Sequence, residues 1–239
     1  MRGLLVACMV SRSAGVRSVV LVRHGISEMN MAMPAWGSPG FADPEIRDAP
    51  LTAEGLAGAR ALREAAARDF GDVELVVSSP LTRALQTCDA VWDVALASGT
   101  PAVALPLAAE RCYLSSDVGT PRGDLERAWG ARVSFPRTHF PDGDCWWYGG
   151  DAGPAYAPAP APEDDWRPPG TYCALGEPLE AFRGRMAALV DWLAARPEET
   201  VALTCHWGVI MALTGRSFRN CEARRVPLAD LRVRADVAY

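Results

Sequence analysis

Three histidines occur in this chain of 239 residues, and two of them directly follow short apolar runs. "SVVLVRHG" places Arg23 and His24 after Ser18–Val22, and "VALTCHWG" places His206 after Val201–Cys205. A third segment, "VVSSPLTRALQT", sets Arg83 in the first turns of a helix that opens just after a run ending near Ser78. If these runs are parallel strands of one sheet, their carboxyl ends share a single rim, where ligands of α/β proteins bind. Two Arg and two His then meet at one edge. Glu110, in "PLAAERCY" just past a run at 101–106, arrives at the same rim.

These residue types suit one ligand. A dianionic phosphoryl group needs several fixed positive donors, and Arg supplies forked, permanently charged ones. Helix N-termini after Gly25, after Ser79-Pro80 and after Gly208 would add amide donors and a favourable dipole. An imidazole with one unprotonated nitrogen aimed in line is a competent nucleophile toward phosphorus, and His24 is the candidate. His206, expected to be protonated, would hold a phosphoryl oxygen. Glu110 would give the leaving alkoxide its proton. No metal and no cofactor is required, because the positive side chains fill that role.

Taken singly, each residue has an ordinary reading. Arg-His after a strand is commonly a loop detail, Arg83 a helix-surface residue, Glu110 a solvated one and His206 a satisfied buried histidine. Their joint arrival at one rim is what chance explains poorly. His139, in "RTHFPDGD", has no such context and reads as structural or exposed. Other phosphate chemistries leave no trace. There is no G-x-x-x-x-G-K-[ST] loop, and no Cys is followed six positions later by Arg. Asp142-Gly-Asp144 follows "THFP" rather than a hydrophobic strand, and "RGD" at 122–124 reads as coincidence.

The elements that must position these groups are legible in the pattern. Four apolar segments read as buried parallel strands: 18–22, 74–78, 101–106 and 201–205. Helical patterns lie between them. Thr52 is an N-cap before "AEGLAGARALREAAARDF", 81–96 is a second helix and 178–195 a third. Alternation of strand and helix predicts an α/β fold, a three-layer αβα sandwich around a mostly parallel, doubly wound sheet. Between Pro141 and Gly170 the pattern gives way to Pro, Gly, Ala and Asp with Trp146, Trp147 and Trp166 embedded. Such a segment is either a disordered insert or a loop folded over a site.

Composition bounds the function. At 49% hydrophobic the chain can bury a substantial core as one domain, 18–239, behind an N-terminal tail, 1–17. A net charge of −5 argues against nucleic acid and anionic membranes as partners. No run approaches the roughly 18 apolar residues of a membrane span. Every basic residue is Arg, which coding bias explains as well as ligand binding does. Seven scattered Cys without a C-x-x-C pair fit a reducing compartment. A cytoplasmic location is expected. The tail, with Arg2, Arg12, Arg17 and no acid, weakly resembles a transit peptide.

Several segments together resemble the histidine phosphatase superfamily, the phosphoglycerate mutase-like enzymes. "LVRHG" at 21–25 is similar to its signature, "APLTAEGLAGARAL" at 49–62 to its L-T-x-x-G-x-x-Q-A segment, and "VVSSPLTRALQT" at 76–87 to a second signature. "VALTCHWGVIMALTG" at 201–215 is similar to the third, and "GEPLEAFRGRM" and "FRNCEARRVPL" also fit. The resemblance implies a phosphomonoesterase working through phospho-His24 on a small phosphorylated substrate. Arg23, Arg83 and His206 would clamp the phosphoryl group and Glu110 would be the proton donor. Asn30 matches the family's Asn six positions after the histidine, and Ser27, Trp207 through its backbone amide, and Arg122 as a second anionic contact complete the expected binding set. Departures are Gly58 where Gln is usual, Ile26 in place of an acidic residue and Trp207 in place of a small one. The wording is nearest a plant and fungal branch of uncertain substrate. A mutase is the alternative, although "ERCY" is followed by Leu114 rather than Gly. A catalytically inactive phosphate-binding module is the third reading. Substrate and oligomeric state are not legible.

Overall fold

A computed structural model of the chain describes residues 15–33, 43–140, 146–148 and 177–235. Strands β1 (Ser18–Arg23), β2 (Leu75–Ser78), β3 (Ala102–Ala104), β4 (Thr200–Cys205) and β5 (Ala223–Pro227) form one sheet in the order β3-β2-β4-β1-β5. The first four are parallel, in register from Ser18 opposite Thr200 to Arg23 opposite Cys205. Helices α1 (Glu28–Ala32), α2 (Ala53–Asp69), α3 (Thr82–Val91), α4 (Asp93–Ala97), α5 (Arg122–Trp129), α6 (Leu179–Ala194) and α7 (Trp207–Thr214) accompany it.

Both sheet faces are buried because the strands are apolar at successive positions, whose side chains point to opposite faces. Val20, Val22, Val76 and Ala202 face a cluster with Ala59 and Ala66 of α2 and Leu85, Cys88 and Val91 of α3. Val19, Leu21, Val77 and Leu203 face the other way, onto Phe182, Met186, Leu189 and Leu193 of α6 and Val209, Ile210 and Leu213 of α7. Each fully buried Val, Leu or Phe contributes about 1.5–3 kcal/mol. The expected three-layer αβα sandwich is therefore present.

Three features depart from the sequence expectation. β5 pairs antiparallel with β1. Its exposed Arg224 and Arg225 hid it from a search for apolar runs, and charge of this kind suits an edge strand. The helix expected over 81–96 divides at Trp92, whose backbone leaves helical geometry while its indole donates to Thr204 on β4 at 3.3 Å. α5 occupies the stretch that begins at "RGD". Of the expected 141–170 insert, the described part packs: Trp146 and Trp147 are buried, and the Trp146 indole donates to the Thr120 carbonyl at 2.8 Å. The rest of that insert, including Trp166 and Asp142-Gly-Asp144, and positions 1–14 of the tail lie outside the described residues.

One close approach sets the rim. Thr52 caps α2 by accepting from the Gly55 amide at 3.0 Å, and its own amide donates to the Ile26 carbonyl at 2.9 Å. This presses the first turn of α2 against the loop after β1. A Cβ at Gly55 would stand 2.0 Å from the Ile26 carbonyl oxygen, and one at Gly25 would stand 2.7 Å from the Gly55 carbonyl oxygen. Backbone on both sides cannot yield cheaply. Gly55→Ala is expected to destabilise the protein by about 1–3 kcal/mol, read as a fall in melting temperature of several degrees. An unchanged melting temperature would show that the loop and helix separate freely.

Candidate active site

His24 leaves β1 with its amide donating to the Cys205 carbonyl on β4 at 3.0 Å, so the sheet ladder itself sets its position. Four further bonds hold the loop. The Gly25 amide donates to Thr87 Oγ1 at 2.9 Å, Asn220 Nδ2 donates to the His24 carbonyl at 2.9 Å, and the Cys221 amide donates to the Arg23 carbonyl at 3.1 Å. The fourth orients the ring: His24 Nδ1 lies 2.7 Å from the Gly25 carbonyl oxygen. A carbonyl can only accept, so Nδ1 carries the proton and Nε2 holds the lone pair. Burial, then the positive charges of Arg83 and Arg23, keep the imidazole well below its ordinary pKa of 6.5. His24 is thus neutral, with Nε2 unprotonated.

Arg23, His24, Ser27, Asn30, Arg83, Glu110 and Trp207 all line one cavity of about 410 Å³. Arg23 donates through Nη1 to the Phe218 carbonyl at 2.7 Å. Arg83, on the first turn of α3, is gripped more fully. Its Nη1 donates to the Ser116 carbonyl at 2.6 Å, and its Nη2 pairs with Asp117 at 2.9 Å. Both side chains are buried. Asp117 in turn accepts from the Leu114 amide at 3.1 Å. Burial pushes its carboxyl up to about 6 even against the pull of Arg83, and the negative charge of Glu110 adds to the rise.

Glu110 is held by amides. Its Oε1 accepts from Arg111 at 2.9 Å and its Oε2 from Gly208 at 3.0 Å. The segment that carries it is fixed from beneath by a buried ion pair. Arg185 on α6 engages both oxygens of Glu177, at 2.8 and 2.6 Å, and donates to the carbonyls of Ala109 at 2.6 Å and Glu110 at 3.1 Å. Glu177 closes the clasp: its amide donates to the Cys112 carbonyl at 2.6 Å, and its Oε2 accepts from the Cys112 amide at 3.3 Å. Removing one partner of such a pair would strand a buried charge.

His206 stands behind His24, with ring centroids 5.0 Å apart, and is fully buried. Its Nε2 meets Ser79 Oγ at 2.7 Å, and its Nδ1 has no hydrogen-bond partner among the described residues. Burial, Arg83 and His24 hold its pKa well below 6.5. The expectation that His206 is protonated is therefore corrected for the unliganded site: an imidazolium would need acceptors at both nitrogens, beside two guanidinium groups.

Two further expectations change. At each helix N-terminus of the rim one amide is engaged by a side chain. Asn30 N donates to Ser27 Oγ at 3.2 Å, Thr82 N to Asp48 at 2.7 Å and Gly208 N to Glu110. Arg122 does not reach this cavity. It lies at the start of α5, pairs with Glu126 at 2.7 Å and lines a separate cavity with Arg132 and Arg137. Ser27 and Asn30 form a reciprocal cap on α1, and Asn30 Oδ1 also accepts from Asn220 at 3.4 Å. Sequence reasoning named no role for Asp117, Thr87, Asn220, Glu177 or Arg185. Thr87, Glu177, Arg185 and Asn220 sat inside segments already singled out; Asp117 carried no signal beyond its polarity.

A Cβ at position 208 would lie 2.3 Å from Glu110 Oε1. The carboxylate is movable, so Gly208→Ala should displace it and leave the fold intact. A phosphatase assay should then show kcat lower by about 10²-fold with the melting temperature nearly unchanged. A neutral His24 also sets the pH dependence. Its folded pKa is depressed, so nucleophile function persists as pH falls through 6.5 and is lost only below that. An acid limb of kcat/KM at or above 6.5 would contradict the site as described.

The family model of the histidine phosphatase superfamily (branch 1) matches residues 19–117. Solved structures with the same fold include the ecdysone phosphate phosphatase of Bombyx mori, at TM-score 0.55, 16% identity and coverage of 92% of each chain. A protein assigned as an alpha-ribazole-5'-P phosphatase from Escherichia coli has TM-score 0.51 and 19% identity, covering 88% of this chain and 90% of its own. A mycobacterial hydrolase has TM-score 0.51 and 19% identity, covering 92% of this chain and 97% of its own. A search of curated proteins returned no match. Residues 19–117 thus match the histidine phosphatase superfamily model, and the described sheet and helices share the fold of these solved structures.

Proposed function

We propose that the chain is a phosphomonoesterase that hydrolyses a small phosphorylated substrate through a covalent phosphohistidine on His24. The observation that carries this reading is the bond from His24 Nδ1 to the Gly25 carbonyl, which leaves Nε2 as a lone pair beside Arg23, Arg83 and Glu110 in one cavity. Nε2 attacks phosphorus; the P–O bond to the alcohol breaks as the P–N bond forms. Arg23 and Arg83 match the equatorial oxygens, where charge accumulates in the transition state. His206 gains reason to protonate only when a phosphoryl dianion stands beside it. Glu110, protonated, gives its proton to the departing alkoxide, then as carboxylate takes one from the water that cleaves the P–N bond. Phosphate and the starting enzyme result.

Solved structures with this fold include ones named as an ecdysone phosphate phosphatase and an alpha-ribazole-5'-P phosphatase, which supports a phosphatase reading without naming the alcohol. Nothing in the described cavity favours phosphoryl transfer back to a second hydroxyl acid, which would call for a further cation: among the described lining residues Arg23 and Arg83 are the cations.

His24→Ala is expected to abolish phosphate release from p-nitrophenyl phosphate, and unchanged turnover would overturn the reading. Glu110→Gln separates the proton donor from the rest. Its kcat should fall about 10²–10⁴-fold on an alkyl phosphate, whose alkoxide needs the proton. The fall should be far smaller on p-nitrophenyl phosphate, whose phenolate leaves unaided. Equal losses on both would remove Glu110 from the acid role.

A further inference from the structure

We infer that the alcohol side of the cavity selects an uncharged, apolar, ring-sized leaving group, so that the substrate is the phosphate monoester of such an alcohol and carries no second phosphate or carboxylate. This rests on the phosphatase reading above. The cavity, at about 410 Å³, is far larger than a phosphoryl group fills and lies within the range of small-molecule sites.

Its two guanidinium groups serve the phosphoryl end. Arg83 bonds Ser116 and pairs with Asp117, and Arg23 donates to the Phe218 carbonyl, its Nε having no partner among the described residues. The remaining polar lining is Ser27, Asn30 and Ser116, with the carboxyl groups of Glu110 and Asp117. A second anion on the substrate would therefore meet the Asp117 carboxylate, already paired with Arg83, the proton donor Glu110, and no further cation among the described lining residues. Leaving such a charge unpaired in a recess of this kind is costly.

Apolar side chains make up the rest: Met29, Met33, Tyr113, Leu114 and Trp207. They are built as a unit. Met29 and Leu114 belong to a cluster with Ala49 that is separate from both sheet cores, and Met33, Ile46 and Tyr113 pack against it. Two walls are aromatic and anchored. The Trp207 indole donates to Ser217 Oγ at 2.9 Å, and Arg111 lies over the Tyr113 ring at 5.5 Å while its Nε donates to the Glu177 carbonyl at 2.8 Å. Anchored rings and adaptable methionines suit a flat hydrophobic group better than a hydrated one.

The test compares three monoesters whose leaving groups are all alkyl alcohols: 2-phenylethyl phosphate, glycerol 3-phosphate and 3-phosphoglycerate. The phenylethyl ester should exceed 3-phosphoglycerate in kcat/KM by about 10²-fold and glycerol 3-phosphate by about tenfold. Met33→Ala should shrink the phenylethyl preference over glycerol 3-phosphate severalfold. Equal or better turnover of 3-phosphoglycerate would overturn the leaving-group inference while leaving the phosphatase reading in place. If no ester is cleaved in a His24-dependent way, the phosphatase reading fails, and calorimetry still decides the cavity. Tighter binding of 3-phenylpropylphosphonate than of 3-phosphonopropionate supports the apolar subsite, and the reverse order ends it.

Discussion

A single hydrogen bond governs this site: the imidazole of His24 gives its Nδ1 proton to the carbonyl of the next residue. Without it the ring could present either nitrogen, and the histidine would be a basic residue at a strand end. With it, and with burial opposing protonation, the ring is held neutral with Nε2 unprotonated, the form the proposed nucleophile requires. The loop must therefore be held so that Gly25 stays in reach. β4 supplies one restraint through Cys205, α3 a second through Thr87, and the turn before β5 a third through Asn220 and Cys221. The tight packing of α2 on the same loop supplies the fourth. These restraints come from four regions distant in sequence, so the position of His24 is set only once β1 has met β4, α2, α3 and the turn before β5.

The charged residues follow the same logic of cost and compensation. Buried guanidinium groups are tolerated because each is tied to acceptors, Arg83 to Asp117 and Ser116, and Arg185 to Glu177 and the 109–110 carbonyls. Arg185 does not itself line the cavity; it holds the segment from which Glu110 projects. Asp117 has a double consequence. It steadies Arg83, yet it also reduces the net positive charge presented to a phosphoryl dianion, and its raised pKa shows that the pocket bears this charge reluctantly. The result is a site cationic enough for one phosphoryl group.

Much of this was written in the residue pattern. Apolar runs ending in Arg-His, Cys-His and Ser-Ser-Pro placed β1, β4 and β2, and the parallel-sheet rule carried Arg23, His24, Arg83 and Glu110 to one cavity. His206 also came close, although as a buried ring behind His24 rather than as a lining residue. What the pattern missed has physical reasons. β5 is an edge strand whose exposed arginines erase its hydrophobic signal. Arg122 looked free because its partner Glu126 lies one helical turn away on a helix not recognised there. Asp117 and Asn220 act through contacts between segments far apart in sequence, which no local pattern records. The neutral state of His206 in the unliganded site was not legible because residue type says nothing of burial beside Arg83, His24, Arg185 and Arg23.

The account stands most directly on which nitrogen of His24 meets phosphorus. Rapid denaturing quench of the enzyme during turnover of a monoester, followed by phosphorus and nitrogen NMR of the trapped protein, reads that atom. Phosphate bonded to Nε2 of His24 is the predicted result. Phosphate on Nδ1, or on any other residue, would contradict it.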